Sequence, residues 1–296
     1  MKRILIYTFA LFAFIGCNLD GMQTMRSKLA QVPDEPLHVL ESEENIEKEP
    51  GCIRLVQYNV GGFFKSGSSS INMVVDMMKE IDTDVMSLNE VDKVVKRSNN
   101  VDQLKVFATN MGNVHSTATW KYYFAQAINL GSGEYGNGVA AKPEYNMLKT
   151  EKIYLPHTTQ GEQRCLAIVE FKDFVFCATH LDLQEIRKAQ AERINEYITS
   201  KYGSVNKPIF LCGDMNCTPG TDPILEFEKK WTMVSQNAPT ASSSSPKSCI
   251  DFIFLYNNDA AKNVEIVKTK VLRNFASGSV ATASDHLPVF VDFKFL

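Results

Sequence analysis

Residues 208–219, P-I-F-L-C-G-D-M-N-C-T-P, constrain the fold of this chain more than any other stretch. Ile209 to Cys212 form a short, continuous apolar run that reads as a buried strand. Gly213 ends the run. Asp214 and Asn216 follow two residues apart, and Pro219 stops the segment. If the backbone stays extended through Gly213, both side chains point to one side, so a carboxylate and a carboxamide converge just past a rigid strand. Such a pair suits a reacting phosphate or a metal-bound water, since Asp accepts protons and the amide both donates and accepts hydrogen bonds. Taken alone, the stretch is equally a strand ending in an ordinary polar turn, because Gly, Asp, Asn and Pro all favour turns.

The rest of the chain repeats this arrangement. Ile53 to Tyr58 reads as a strand ending at Asn59, followed by Gly61-Gly62 and a G-S-S-S loop. Ile71, Val74, Val75, Met78 and Ile81 fall at helical spacing within residues 70–81. Asp84 to Leu88 is the next strand, with Glu90 just beyond it. A second helix is expected over 99–111, stopped by Gly112. Strands follow at 120–128 and 138–141, then a hairpin within 165–179 turning at Lys172-Asp173. Its second run delivers His180. Residues 184–202 form the clearest helix. Strands at 250–255 and 286–295 flank a Val-rich segment near 264–272. Strands dominate with helices between them, which makes the class α/β or α+β with stacked sheets. No repeat of 20 to 50 residues is present.

Composition bounds the chain before any motif does. At 296 residues and 44% hydrophobic content it holds enough apolar surface for one large core or two modest ones. The formal charge of -3 is uneven. Lys2 and Arg3 precede an apolar run from Ile4 to Ile15, too short to span a bilayer comfortably. The run reaches Gly16-Cys17 and so resembles a bacterial lipoprotein signal, with residues 1–16 removed and Cys17 lipidated. Phe14 stands where such signals carry leucine. Cleavage with full secretion, or an uncleaved anchor, are the alternatives. Residues 17–50 carry the acidic cluster E-S-E-E-N-I-E-K-E and three prolines, as a flexible tether or a short ordered arm. The remaining residues, 51–296, form the folded domain and balance their charges, so nothing in the net charge calls for a polyanionic partner. The expectation is an exported, lipid-anchored monomer at the outer membrane or cell surface of a bacterium.

Six cysteines besides Cys17 lie in the folded part. They allow 15 pairings, and the sequence does not choose among them. No C-x-x-C occurs, and Cys212 with Cys217 lacks a second His or Cys cluster, which argues against zinc. Several sit within apolar runs, where a buried reduced thiol is the default.

Asn59, Glu90, His180 and the Asp214/Asn216 pair each fall at or just past the end of an apolar run. Asp251 opens I-D-F-I-F-L, and Asp285-His286 precedes L-P-V-F-V-D-F. Any one of these is an ordinary polar strand end; together they are a chemical set. The ordered motifs Q-Y-N-V-G-G, L-N-E-V-D, Y-G-N-G-V-A-A-K, T-H-L-D-L, G-D-M-N-C-T-P, I-D-F-I-F and S-D-H-L-P-V resemble the endonuclease/exonuclease/phosphatase superfamily, from about residue 53 onward. The resemblance implies a four-layer αββα sandwich of two packed mixed sheets flanked by helices. It also implies a metal-dependent phosphoesterase.

Residue roles follow from that resemblance. Glu90 is similar to the family's main magnesium ligand, with Asn59 and Asp285 close to the metal or the phosphate. An all-oxygen set of this kind selects Mg²⁺ or Mn²⁺. Asp214 and Asn216 resemble the pair that orients the attacking water and holds the phosphate. His286 resembles the histidine beside the scissile phosphate, with Asp251 orienting it, and His180 the second histidine of members that carry T-H-L. Either Asp214 or His286 serves as the base. Arg164, Tyr135 and Asn137 are the substrate-contact candidates, while Cys52, Met215 and Asp182 read as packing or supporting positions.

Departures narrow the reading. Gly61 stands where some nucleases place an acid, I-D-F-I-F lacks the arginine of inositol 5-phosphatases, and N-C-T-P lacks their tyrosine-arginine. Lys93, Lys96 and Arg97 form the only compact basic group near a site strand, which weakens a processive nuclease. The Ser242–Ser245 run before Asp251 is either a substrate loop or a plain flexible one. The expected substrate is therefore a phosphodiester, in nucleic acid or a phospholipid headgroup. A phosphomonoesterase on sugar or inositol phosphates comes second, and an inactive binding protein on the same fold third.

Overall fold

The computed structural model describes residues 46–112, 119–183 and 185–296. The signal run, Cys17 and most of the acidic tether lie outside the described residues. From Ile46 onward the chain forms one compact unit. Its edge lies before residue 51 because Lys48 reaches the carboxylate of Asp84 at 2.8 Å, and the Arg54 guanidinium bonds the carbonyl of Ile46 at 2.8 Å.

Two six-stranded sheets make up the middle of the molecule. The first contains β1 (Ile53–Asn59), β2 (Val85–Lys93), β3 (Lys121–Leu130), β4 (Gly133–Ala141), β11 (Val264–Val271) and β12 (Val289–Phe295) in the order β11-β12-β1-β2-β4-β3. The second contains β5 (Lys149–Tyr154), β6 (Cys165–Glu170), β7 (Val175–His180), β8 (Ile209–Asp214), β9 (Trp231–Met233) and β10 (Asp251–Tyr256) in the order β5-β6-β7-β8-β10-β9. Each sheet has one parallel pair, β1 with β2 and β7 with β8. Parallel neighbours need a long crossover. Helix α1 (Ile71–Glu80) supplies it in the first sheet and α3 (Arg187–Tyr202) in the second. Helices α2 (Gln103–Met111), α4 (Asp222–Glu228) and the short α5 (Val280–Ala283) complete the set.

The apolar runs are continuous because the strands of the second sheet are buried on both faces. Phe176, Ala178, Phe210, Cys212, Ile253 and Leu255 pack into the core that also holds the first sheet, α1 and α2. The alternate residues Val175, Cys177, Ile209, Leu211, Phe252 and Phe254 pack in a separate core with α3 and α4. Four layers, αββα, follow from that alternation.

The expected helices 70–81 and 99–111 appear as Ile71–Glu80 and Gln103–Met111, the second preceded by a separate 3-10 turn at Lys96–Ser98. Asp102 caps α2, its carboxylate accepting from the amide of Lys105 at 3.1 Å. The Val-rich segment is strand β11, while the edge strands β5 and β9 and the helices α4 and α5 carry patterns too short or too polar to read. The six described cysteines are free thiols, all buried.

Candidate active site

The inter-sheet face of the second sheet decides where its chemistry points. His180 continues the parity of Phe176 and Ala178, Asp214 that of Phe210 and Cys212, and Asp251 that of Ile253 and Leu255. Strand register then brings the three together, because Asp214 pairs His180 on one side and Asp251 on the other. All three therefore emerge at one end of the sandwich, aimed at the first sheet.

His286, in the turn before β12, closes the group from the first sheet. Its Nδ1 lies 2.8 Å from Asp251 Oδ2, and its Nε2 lies 3.6 Å from Asp214 Oδ2. Burial alone lowers a histidine's basicity, but the charge and hydrogen bond of Asp251, then Asp214 and Asp285, outweigh it and push His286 up to about 10. Asp214 moves upward as well, through its own burial and then the charge of Asp251. His286, the amide of Asn216 and the amide of Asn59 oppose the shift. At neutral pH the imidazolium is a fixed cation beside a carboxylate that binds protons readily.

His180 is the opposite case. Arg164 Nη1 stands 3.1 Å from its Nδ1, and Asn216 Nδ2 stands 2.9 Å from its Nε2. A doubly protonated ring would face donors at both nitrogens. Burial, followed by the positive charges of Arg164 and His286, holds it well below the usual histidine range. One molecule thus carries a cationic and a neutral histidine within reach of the same Asp214 oxygen, His180 at 3.5 Å.

Asp214 and Asn216 meet by a route other than the extended backbone. Strand β8 ends at Asp214, and Asn216 sits in the left-handed region at φ 50°. The Asp214 carboxylate accepts the backbone amide of Asn216 at 2.8 Å. This Asx-type turn swings the carboxamide back toward His180 and the carbonyl of Leu181.

In the first sheet, β1 ends at the fully buried Asn59. Its Nδ2 donates to Asp214 Oδ2 at 3.0 Å and to Glu90 Oε1 at 3.1 Å. Regular alternation would turn Glu90 away from Asn89, which faces the second sheet. Instead β2 has a bulge between Leu88 and Val91, and Glu90 takes φ 61°. The irregularity redirects the carboxylate into the cleft. Asp285 is exposed at the rim. A Cβ at Gly61, where φ is 53°, would stand 3.2 Å from Asp285 Oδ1. An acid at position 61 would therefore crowd the rim carboxylate as well as strain the backbone.

Glu90, Asn59 and Asp285 offer only oxygen ligands, two of them carboxylate, in a polar and partly open corner. That donor chemistry fits a hard divalent cation of the magnesium type. Asp214, Asp251 and His286 also have ligand atoms within 4.8 Å of one another. The Asp251–His286 hydrogen bond already occupies that pair, so the group fits proton handling better than ligation.

Several residues matter to which the sequence assigns no role, although Gln57 and Asn89 stand inside its motifs. Asn89 is buried between the sheets and accepts from Gln57 Nε2 at 2.6 Å and from the amide of Asp214 at 3.0 Å. Its own Nδ2 donates to Thr179 O at 2.8 Å and Asn137 Oδ1 at 3.0 Å. Gln57 Nε2 also lies 3.2 Å from Asp251 Oδ1, and Thr240 Oγ1 accepts the amides of Ile250 and Asp251 at 3.2 Å. Their signal in the sequence is a polar side chain inside an apolar run, as in L-V-Q-Y-N. The sequence places Asn137 among the substrate contacts, but its carboxamide is engaged by Asn89 and the carbonyl of Cys165. Tyr135 lies beneath the Arg97 guanidinium at 5.3 Å. Arg164 meets Glu162 at 3.0 Å, and its Nε is buried without a partner among the described residues. The serine run is tied down: Ser243 N donates to Asp285 O at 2.7 Å, and Lys65 Nζ to Ser243 Oγ at 2.8 Å.

Comparison with known proteins agrees with this architecture. The model of the Endonuclease/Exonuclease/phosphatase family matches residues 56–286. A comparison with curated protein sequences returns no match. Among solved structures, the mannosyl-6-phosphatase of Bacteroides thetaiotaomicron superposes with a TM-score of 0.66 at 18% identity, covering 82% of this chain and 100% of that one. The human Nocturnin catalytic domain, holding a sulfate anion, gives 0.63 at 16% identity over 83% of this chain and 94% of that one. TDP2 of D. rerio, complexed with a single-strand DNA product, gives 0.57 at 14% identity over 82% and 99%. The match spans most of the compact unit and contains every strand-end residue of the site, and the chain belongs to the Endonuclease/Exonuclease/phosphatase family.

Proposed function

We propose that this protein hydrolyses phosphate esters by direct attack of water on phosphorus. The observation that carries the reading is the Asp251–His286–Asp214 line, 2.8 and 3.6 Å long in its two contacts, at the ends of adjoining strands. Asp214 is the proton acceptor for the attacking water, since burial keeps its carboxyl basic enough to take one. His286, held cationic by Asp251, donates to the phosphoryl oxygens as negative charge builds on them. Asn216 and Asn59 orient the nucleophile and phosphate around Asp214, and neutral His180 adds a further contact. Arg164 presents an N–H that is buried and, among the described residues, unpartnered. Glu90, Asn59 and Asp285 would hold a Mg²⁺ or Mn²⁺ ion, whose contribution when bound is to neutralise phosphate charge.

The sequence resemblance puts phosphodiesters of nucleic acid or of phospholipid headgroups first among substrates. A specific observation favours phosphomonoesters of small alcohols: the space directly beside Glu90 is a cavity of about 260 Å³. The relative with the highest of the three TM-scores above is described as a mannosyl-6-phosphatase, which accords with the smaller substrate. Hydrolysis of bis-p-nitrophenyl phosphate and p-nitrophenyl phosphate should be measured with Mg²⁺ and with chelator. Turnover that chelator abolishes and His286→Ala cripples is expected. Turnover of neither ester, or an unaffected variant, would sink the reading.

The lipid anchor on Cys17 and an exported state are likewise proposals, supported by the Lys2-Arg3, apolar-run and Gly16-Cys17 sequence alone, and a monomer is proposed beside them. Among the described residues no helix is long and apolar enough to cross a membrane. Labelling with a palmitate analogue in a bacterial host should mark the protein, and Cys17→Ser should abolish the label.

A further inference from the structure

The cavity against Glu90 has a use that the reaction itself leaves open. Gly61, Gly62, Phe64, Asp92, Arg97 and Ser98 form its remaining walls. A second cavity of about 300 Å³ adjoins it and shares Phe64 and Ser98 as walls.

These walls are fixed from behind. Gln103, 3% exposed, donates Nε2 to the carbonyl of Gly62 at 2.5 Å and accepts the amide of Asp92 at 2.8 Å. One buried amide thus ties the loop after β1 to strand β2. Arg97 forks onto the buried Asp92 through Nε at 2.9 Å and Nη2 at 2.8 Å, with its guanidinium over the Tyr135 ring. Its Nη1 is left without a protein acceptor among the described residues. A guanidinium anchored on two sides reads a ligand with little loss of side-chain freedom.

Size, charge and surface together define the occupant. The volume stands near the lower end for ligand sites and accommodates one compact ring. The single cation on the walls is already neutralised by Asp92, and Glu90 adds a negative charge. A second phosphate gains little there, and a polynucleotide backbone finds none of the unpaired cations it needs. The Ser98 hydroxyl already donates to Val95 O at 3.0 Å and the Gly61 amide to Asn59 Oδ1 at 3.0 Å, so the wall's remaining donor is chiefly Arg97 Nη1, and Phe64, 39% exposed, supplies the aromatic wall. An aromatic face set against polar groups suits a ring with hydroxyls on one side and C–H bonds on the other.

Resting on the phosphoesterase reading, we propose that this cavity receives the alcohol portion of the substrate. We assign that portion to the hexose class: an uncharged, polyhydroxylated ring carrying the scissile phosphate, with Phe64 as its platform and Arg97 as the reader of its hydroxyls. The bond between phosphorus and the ester oxygen breaks, water supplies the new oxygen on phosphorus, and the free sugar leaves with the proton.

The test compares kcat/KM, with Mg²⁺, for a hexose 6-phosphate, adenosine 5′-monophosphate and p-nitrophenyl phosphate. A preference for the hexose phosphate of tenfold or more is expected. Phe64→Ala and Arg97→Lys should each cut that preference at least tenfold, through KM more than kcat; lysine keeps the charge that Asp92 requires but loses the fork. Preference for either other ester, or a preference that neither substitution moves, overturns the assignment and leaves the phosphoesterase reading intact. Hydrolysis of none of the three while bis-p-nitrophenyl phosphate is turned over overturns the assignment, and turnover of none of the four defeats the phosphoesterase reading itself. Calorimetric binding of the hexose phosphate to the His286→Ala protein then decides the cavity separately: heat that Phe64→Ala removes supports it, and absence of heat overturns it.

Discussion

The two sheets share one architecture and equip the site in different ways. In the second sheet, His180, Asp214 and Asp251 stand where regular pairing puts them, in register across β7, β8 and β10. In the first sheet, Glu90 reaches the cleft through a bulge and a left-handed backbone, beside a Gly61-Gly62 turn with both φ values positive. A ladder of backbone hydrogen bonds fixes the proton-handling half. Local irregularity, held by side-chain amides, shapes the half that faces metal and substrate. The difference teaches where tolerance lies: the first half moves only if a sheet moves, whereas the second is adjustable residue by residue.

Four measurements break or sharpen that contrast. The largest effect belongs to the contact joining the halves. His286→Ala is expected to lower kcat by roughly 10²- to 10⁴-fold with the circular dichroism spectrum unchanged. A loss below tenfold in steady-state turnover would dissolve the contrast. Next comes the ion pair at the opposite end of the first sheet. Arg54 and Asp292 are both fully buried, with Nε–Oδ1 and Nη2–Oδ2 contacts of 2.7 Å. Asp292→Ala strands a buried guanidinium and should cost about 3–5 kcal/mol in urea unfolding. Little change would mean that solvent reaches Arg54.

A smaller effect tests the adjustable half. Asn59→Ala removes the amide that bonds Glu90 and should weaken apparent Mg²⁺ affinity by roughly 10- to 100-fold, measured as the metal concentration giving half-maximal turnover. Unchanged metal dependence would separate Asn59 from the ion. The smallest effect lies at the outer edge of the second sheet. Burial alone would raise the Glu151 carboxyl, but Lys201, Tyr197 and Tyr202 outweigh it and hold it at about 2. A depressed carboxylate stabilises the fold above its unfolded value near 4.5 and loses that contribution as pH falls through about 2. Part of the decline in melting temperature over that window should therefore vanish in Glu151→Gln. An identical pH profile would show that the cluster is screened by solvent.

Legibility in the sequence followed the same divide. Asp214, His180 and Asp251 were readable because each borders a run of apolar residues buried on two faces, and strand pairing alone carries such residues to one place. Asn216 was readable as a partner of Asp214, though the Asx-type turn that joins them replaces the expected pleat. Glu90 was readable as a residue but not as a direction, since nothing in L-N-E-V-D marks a left-handed glutamate. Asn89 and Gln57 passed unmarked, because a lone amide in a strand looks the same whether it faces helix, solvent or a second sheet. The walls around Phe64 and Arg97 depend on Gln103, which lies in a different element and bonds Gly62 and Asp92. The serine run showed the limit of composition: its hydroxyls and amides bond the Asp285 segment, although its sequence is that of a loose linker.

The place of β12 has a consequence for how the protein comes into being. This strand, although last in the order of synthesis among the twelve, inserts between β11 and β1 in its sheet. A chain in which β12 has not yet docked can pair β7, β8 and β10, and so assemble the aspartates, yet the turn that carries His286 is unanchored and an edge of β1 is open. Assembly of the site is therefore completed only when β12 docks. Until then the open edge of β1 is the feature most exposed to mispairing with another chain.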